Sequence, residues 1–212
     1  MKVDLPKQSN YEVALANAWD ALSRRSEGEL AQLGARKAAG EGRWRMSVLE
    51  GEFEVDVEKR RMTLAGRAGA DGGGDVSLVW QILALHYLAA EVPVPAARRE
   101  IAFEDIPSAR GYAGPYNARV IKRFCCTAGR DRGKFEAAAK ALGGRTVEGG
   151  DLAYELRVFP LAPLTIVWYA GDEELQPGAS FIYEDNVASL LDVEDIVVMA
   201  ERVVSRLGGK PW

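Results

Sequence analysis

Apolar and polar positions change period several times along this chain, and each change marks a new element. Tyr11, Leu15, Ala18, Trp19 and Leu22 recur at helical spacing. They predict an amphipathic helix to about Arg24, opened by a capping box in which Ser9 and Glu12 satisfy each other's free backbone donors. Ser26 and Glu29 repeat the box before a short helix that stops at Gly34. Residues 1–7 and 35–42 read as tail and linker. The period then drops to two. Trp44, Met46 and Val48 alternate with Arg43, Arg45 and Ser47, and after Glu50-Gly51 the residues Phe53, Val55 and Val57 alternate with Glu52, Glu54 and Asp56. That is a hairpin with one buried and one charged face, extended by a third strand at 61–64.

The glycine-rich stretch 66–74 is read as a flexible connector, since no Gly-Lys-Ser/Thr and no G-x-G-x-x-G spacing fits a phosphate loop. Asp75 is expected to cap the next helix, whose side chains from Val76 to Leu88 are apolar on nearly every side. A helix apolar all round is a buried one, so this is the expected central helix, ended by Pro93 and Pro95. A short extended piece follows at 100–103. Pro115 suits the first position of another helix through Tyr116, Val120 and Phe124, and Asp131 opens a further one that turns Phe135, Ala138, Ala139 and Leu142 inward.

Strands return in the last third. Leu152, Tyr154, Leu156 and Val158 alternate with Glu155 and Arg157, which predicts one wet side. Residues 164–169 are apolar on both faces and fit a central strand, paired antiparallel with 179–183 because nine intervening residues are too few for a helical crossover. Asp192 is the expected N-cap of a last helix, with Leu191 stapled on Ile196 and a stripe of Ile196, Met199, Ala200, Val203 and Leu207. Helices, strands, helices, strands and a helix predict an α+β fold: antiparallel sheet segments packed with a buried central helix and flanking helices. The organisation expected is one domain over 1–212, with a possible division into 1–64 and 75–212.

Composition narrows the function classes. A net charge of −4 over 212 residues is not the basic footprint of a general nucleic-acid binder. The N-terminal residues hold no apolar signal core, and the most apolar segment, 76–90, is too short to span a bilayer. Two adjacent cysteines, Cys125 and Cys126, exclude a disulfide scaffold, so a cytoplasmic home is expected. The charge is uneven: residues 98–134 carry a net of +5 and residues 148–195 a net of −10. Solvated faces account for this, as does attraction between the halves or to separate partners.

His86 is the only histidine, which rules out multi-histidine metal triads. It reads as a hydrogen-bonded core residue or, functionally, as a tetrapyrrole ligand or proton shuttle. Cys125 and Cys126 point different ways from a helix and lack a Cys-x-x-Cys partner. Asp172, Glu173 and Glu174 follow an apolar run and are either a charged hairpin tip or, with Asp185, oxygen ligands for a hard cation. Arg119, Lys122 and Arg123 share a helix face suited to solvent, phosphate or an acidic partner. No catalytic residue, metal site or cofactor is predicted.

The segments Asn10-Tyr11-Glu12-Val13-Ala14-Leu15, Ile82-Leu83-Ala84-Leu85-His86-Tyr87-Leu88, Gly171-Asp172-Glu173-Glu174-Leu175-Gln176-Pro177-Gly178-Ala179-Ser180 and Leu191-Asp192-Val193-Glu194-Asp195 together resemble a bacterial and archaeal family named domain of unknown function 3786. The resemblance spans nearly the whole chain. It implies no activity and carries over no catalytic residues. It does imply an association with iron–sulfur domains like those of corrinoid proteins in anaerobes, to which some relatives are joined. This chain departs from those in lacking a four-cysteine cluster motif. Two readings stay open. One is a non-enzymatic binding or accessory module for a protein, including iron–sulfur or corrinoid proteins. The other is a small-molecule or tetrapyrrole-binding protein or enzyme with a pocket between the central helix and the C-terminal sheet, lined by His86, Tyr87, Trp168 and Tyr169.

Overall fold

The computed structural model describes residues 6–66, 74–172 and 176–212. It is an α+β fold in which the chain divides into two compact units, one of Met1–Ser47, Gly51–Pro93 and Trp212, the other of Val48–Glu50 and Val94–Pro211. Among the described residues no helix is long and apolar enough to cross a membrane.

In the first unit, helix α1 (Pro6–Leu22) starts three residues before the expected cap, so Ser9 lies within it. Proline is pre-shaped for a first helical turn, where its missing N–H costs nothing. Helix α2 (Glu27–Gln32) carries the expected capping box between Ser26 and Glu29. The segment read as a linker forms a two-residue strand, β1 (Arg36–Lys37), beside β2 (Arg43–Val48). Next come β3 (Gly51–Asp56), β4 (Arg61–Leu64) and β5 (Gly74–Asp75), in the sheet order β1-β2-β3-β4-β5. The glycine-rich connector read at 66–74 lies mostly outside the described residues. Asp75 is in β5, paired with Thr63, and is not a helix cap. Helix α3 (Leu78–Leu88) begins after Ser77, and Gln81 Nε2 donates to the Val76 carbonyl at 2.7 Å.

The apolar side of the first sheet (Met46, Val48, Phe53, Val55 and Met62) is buried, as are seven of the eleven residues of α3. Phe53, Trp80 and Trp212 meet edge to face at 5.1–6.3 Å between ring centres. The alternate positions form cross-strand ion pairs, Arg43 with Asp56 at 3.2 Å and Arg45 with Glu54 at 3.0 Å. Such partly exposed pairs add little to stability.

The second unit is built on one antiparallel sheet. Its strands are β6 (Glu100–Ala102), β7 (Arg145–Val147), β8 (Leu152–Phe159), β9 (Ala162–Tyr169) and β10 (Gly178–Glu184), in the order β6-β10-β9-β8-β7. As the apolar run predicts, β9 is central, and its register with β10 runs from Gly178 opposite Tyr169 to Tyr183 opposite Leu164. The helices are α4 (Ala113–Tyr116), continued by a wider π turn (Asn117–Lys122) into α5 (Arg123–Cys126), then α6 (Arg132–Ala141) and α7 (Val193–Leu207). Pro115 is the third residue of α4 and not its first. Asp131 caps α6 by accepting from Lys134 N–H at 2.8 Å. Asp192 stands at the cap position of α7 without a side-chain bond, yet Leu191 and Ile196 are both buried as a staple requires.

Aromatic rings join these helices to one face of the sheet. Phe124 packs edge-on to Phe181 at 5.5 Å and Phe135 to Tyr154 at 5.7 Å. The other face of β8 is less wet than its Glu155 and Arg157 suggest, because Ala153 is also buried. The turn at Gly149 lies over it: a Cβ at Gly149 would stand 3.5 Å from that of Ala153.

Candidate functional site

Strand alternation and register divide the second sheet into two faces. Tyr154, Leu156, Ile166, Trp168, Phe181 and Tyr183 point to the helices and are buried. The opposite, outer face is laid out in rows by direct pairing. Ala153, Val167 and Ser180 make one row, and Glu155, Thr165, Ile182 and Ala102 the next. Arg157 opposite Pro163 begins a third, which Glu184 opposite Glu100 continues. Ser180, Ile182, Glu184 and Ala102 on this face are half-exposed.

One end of the outer face is shaped by the turn before β8. Gly150 sits at φ +50°, and a Cβ there would come within 2.6 Å of the Trp168 carbonyl and 3.2 Å of Tyr169 Cε1. Only glycine lets the turn lie flat against the end of β9. Asp151 fastens it, donating its N–H to the Trp168 carbonyl at 3.0 Å and accepting from Ala170 N–H at 2.7 Å. Tyr169 then stands at the rim, 43% exposed, the most exposed large apolar side chain among the described residues of this unit. The next residue inward, Trp168, is buried and donates its indole N–H to the Gly129 carbonyl at 2.7 Å. Trp168, Arg130, Arg132, Asp172 and Gln176 line a cleft of about 370 Å³ beside it.

A family model described as domain of unknown function (DUF3786) matches residues 29–206. The chain belongs to this family. No curated protein and no solved structure matches it. Membership in the family thus brings no reaction with it.

The remaining residues singled out from sequence lie as follows. His86 and Tyr87 belong to the first unit, Trp168 and Tyr169 to the second. His86 is half-buried on α3, and Tyr87 is fully buried with its hydroxyl donating to the Leu33 carbonyl at 2.7 Å. Asp172 is exposed, while Glu173 and Glu174 lie outside the described residues. Asp185 accepts from Arg98 N–H at 3.0 Å and stands 4.0 Å from Arg99. Among the described residues no group of three or more His, Cys, Asp or Glu side chains is placed to hold a metal ion.

Two of the three basic residues meet a carboxylate of α7. Arg119 Nε reaches Glu201 at 2.9 Å and Arg123 reaches its other oxygen at 3.3 Å, while Lys122 is exposed. Cys125 is half-buried and Cys126 exposed, and burial pushes the Cys125 thiol above its usual range. Sequence reasoning missed the Gly149-Gly150 turn, although the paired glycines between two strand-like runs were its signal. It also missed the Trp168–Gly129 bond, which no local pattern announces.

Proposed function

We propose that this chain is a non-enzymatic binding module that docks a positively charged protein surface on the outer sheet face around Tyr169. The exposure of Tyr169 carries the reading. An aromatic ring held rigidly at a sheet rim, against glycine backbone, offers large contact area at little entropic cost, as the anchors of protein interfaces do. Asp151, which holds the neighbouring Ala170 N–H, and Asp172, three residues after Tyr169, are both exposed beside it, within a stretch of net charge −10. Charge complementarity therefore favours a partner rich in Lys and Arg, whose cations can also sit over the ring. His86, the chain's single histidine, belongs to the first unit, so the second unit's own residues include no imidazole for general acid–base chemistry. Family resemblance makes iron–sulfur and corrinoid proteins the first class of partner to try.

A photo-crosslinking residue in place of Tyr169, expressed in the native cells, tests this. The expected product is one defined adduct whose purified partner binds wild type, and binds Tyr169→Ala about tenfold or more weakly, the loss typical of an interface anchor. An identified partner that binds Tyr169→Ala as well as wild type, or no adduct above that formed from Lys122, rejects the proposal.

A further inference from the structure

At the other end of the outer face the sheet carries a second hollow, of about 350 Å³. Its walls are the extended segment at Val94 and Pro95 and the strand residue Pro163; Arg157, Glu184 and Asn186 supply its polar groups. The wall is tied in place. Asn186 Nδ2 donates to the Pro95 carbonyl at 2.8 Å, Asp185 accepts from Arg98 N–H at 3.0 Å, and Asp185 N–H donates to the Arg99 carbonyl at 3.0 Å. Its volume falls at the small end of small-molecule pockets, about 300–1,000 Å³.

The two charges are the informative part. Arg157 on β8 and Glu184 on β10 flank Pro163, two strands apart or roughly 10 Å between backbones. Among the described residues neither forms an ion pair. The Arg157 guanidinium makes a long 3.4 Å contact to the Pro160 carbonyl. Burial, then the nearby Glu155, holds the Glu184 carboxyl above its usual range, and Arg157 offsets this only in part. Asn186 Oδ1 is buried without a hydrogen-bond partner. A charge-assisted hydrogen bond is about twice as strong as a neutral one, so each of these two groups offers a ligand of opposite charge a strong contact. Here an apolar-walled hollow separates them.

We propose that this hollow binds a small zwitterion, an α-amino acid or dipeptide with an apolar side chain, its carboxylate on Arg157 and its ammonium on Glu184. Val94, Pro95 and Pro163 take the apolar part. Proline walls lose little freedom on binding, so the hollow is preformed.

Calorimetric titration of the full chain with the protein amino acids, leucyl-glycine, N-acetyl-leucine and leucinamide tests the site. A saturable one-to-one complex with a free zwitterion is expected, and whether an amino acid or leucyl-glycine binds tighter identifies the source. N-acetyl-leucine and leucinamide should bind about ten- to a hundred-fold more weakly, each having lost one charged hydrogen bond. Arg157→Gln should erase the discrimination against leucinamide, and Glu184→Gln that against N-acetyl-leucine, with circular dichroism unchanged. A merely structural role would not move these two preferences separately. No saturable binding by any zwitterion, or binding with both preferences intact in the two variants, overturns the proposal.

Discussion

The hydroxyls of Tyr116 and Tyr183 meet at 2.9 Å in the core of the second unit, with Phe103 stacked flat on the Tyr116 ring at 3.8 Å. Each phenol is the other's partner in a place water does not reach, and burial pushes both well above the usual tyrosine range. Tyr116→Phe or Tyr183→Phe strands the surviving hydroxyl and should cost about 1–3 kcal/mol in urea denaturation. The double variant should cost less than the sum, since it leaves no orphan. Single losses below ~0.5 kcal/mol would mean that the hydroxyls have other partners.

In the first unit the aromatic cluster makes two expectations. Trp80 is 1% exposed, so Trp80→Ala should cost about 3–5 kcal/mol. Gly51 touches the same cluster: a Cβ there would stand 2.8 Å from the Trp212 ring and 3.0 Å from Leu64. Gly51→Ala should therefore destabilise despite stiffening the unfolded chain, while Gly28→Ala, with open space around it, should not. A neutral Gly51→Ala would show that the Trp212 ring yields.

Glu29 links acid sensitivity to a cap. Its carboxylate accepts the Ser26 backbone N–H and hydroxyl, both at 2.7 Å, and then Arg25 at 2.9 Å, which together lower its pKa from 4.5 to about 2. A depressed carboxyl stabilises the fold above its unfolded pKa, so this contribution is full above about 4.5 and vanishes as pH falls toward 2. Melting temperatures of wild type and Glu29→Gln should converge across that window and differ above it. A constant difference down to the lowest pH would detach the effect from ionisation.

Glu184 has the opposite sign. Its carboxyl is raised, by burial first and then by Glu155, so folding favours the protonated form. Stability from this group is present below the unfolded carboxyl pKa and lost as pH rises through the raised value. Glu184→Gln should thus melt higher than wild type at neutral pH and no higher in acid. Glu155, Arg157, Asp185 and Glu100 act on the same carboxyl, so the comparison should be made at fixed ionic strength.

Period and punctuation carried most of the fold. Alternation placed Trp44 to Val48 and Phe53 to Val55, a continuous apolar run placed the strand at Leu164 to Tyr169, and side-chain caps at Ser26 and Asp131 opened their helices where the sequence says. These are local effects: a hydrogen bond to a neighbouring N–H, or a side chain turned up or down by the pleat. The same logic misjudged Ser9 and Asp75, whose sequence fits a cap equally well, because a helix start is chosen among several competent residues and a short strand can claim one of them. Tyr169 and Asp172 were legible as candidates because they end an apolar run.

What sequence alone determined is therefore the α+β class, the order of elements and the buried character of α3. Tertiary structure decided the pairings between residues far apart in the chain: Tyr116 with Tyr183, Trp168 with the Gly129 carbonyl, Arg119 and Arg123 with Glu201, and Arg157 facing Glu184 across Pro163. Each joins residues on different elements, so it depends on sheet order and strand register. Register is set by the collective burial of one face, which no short window of sequence contains.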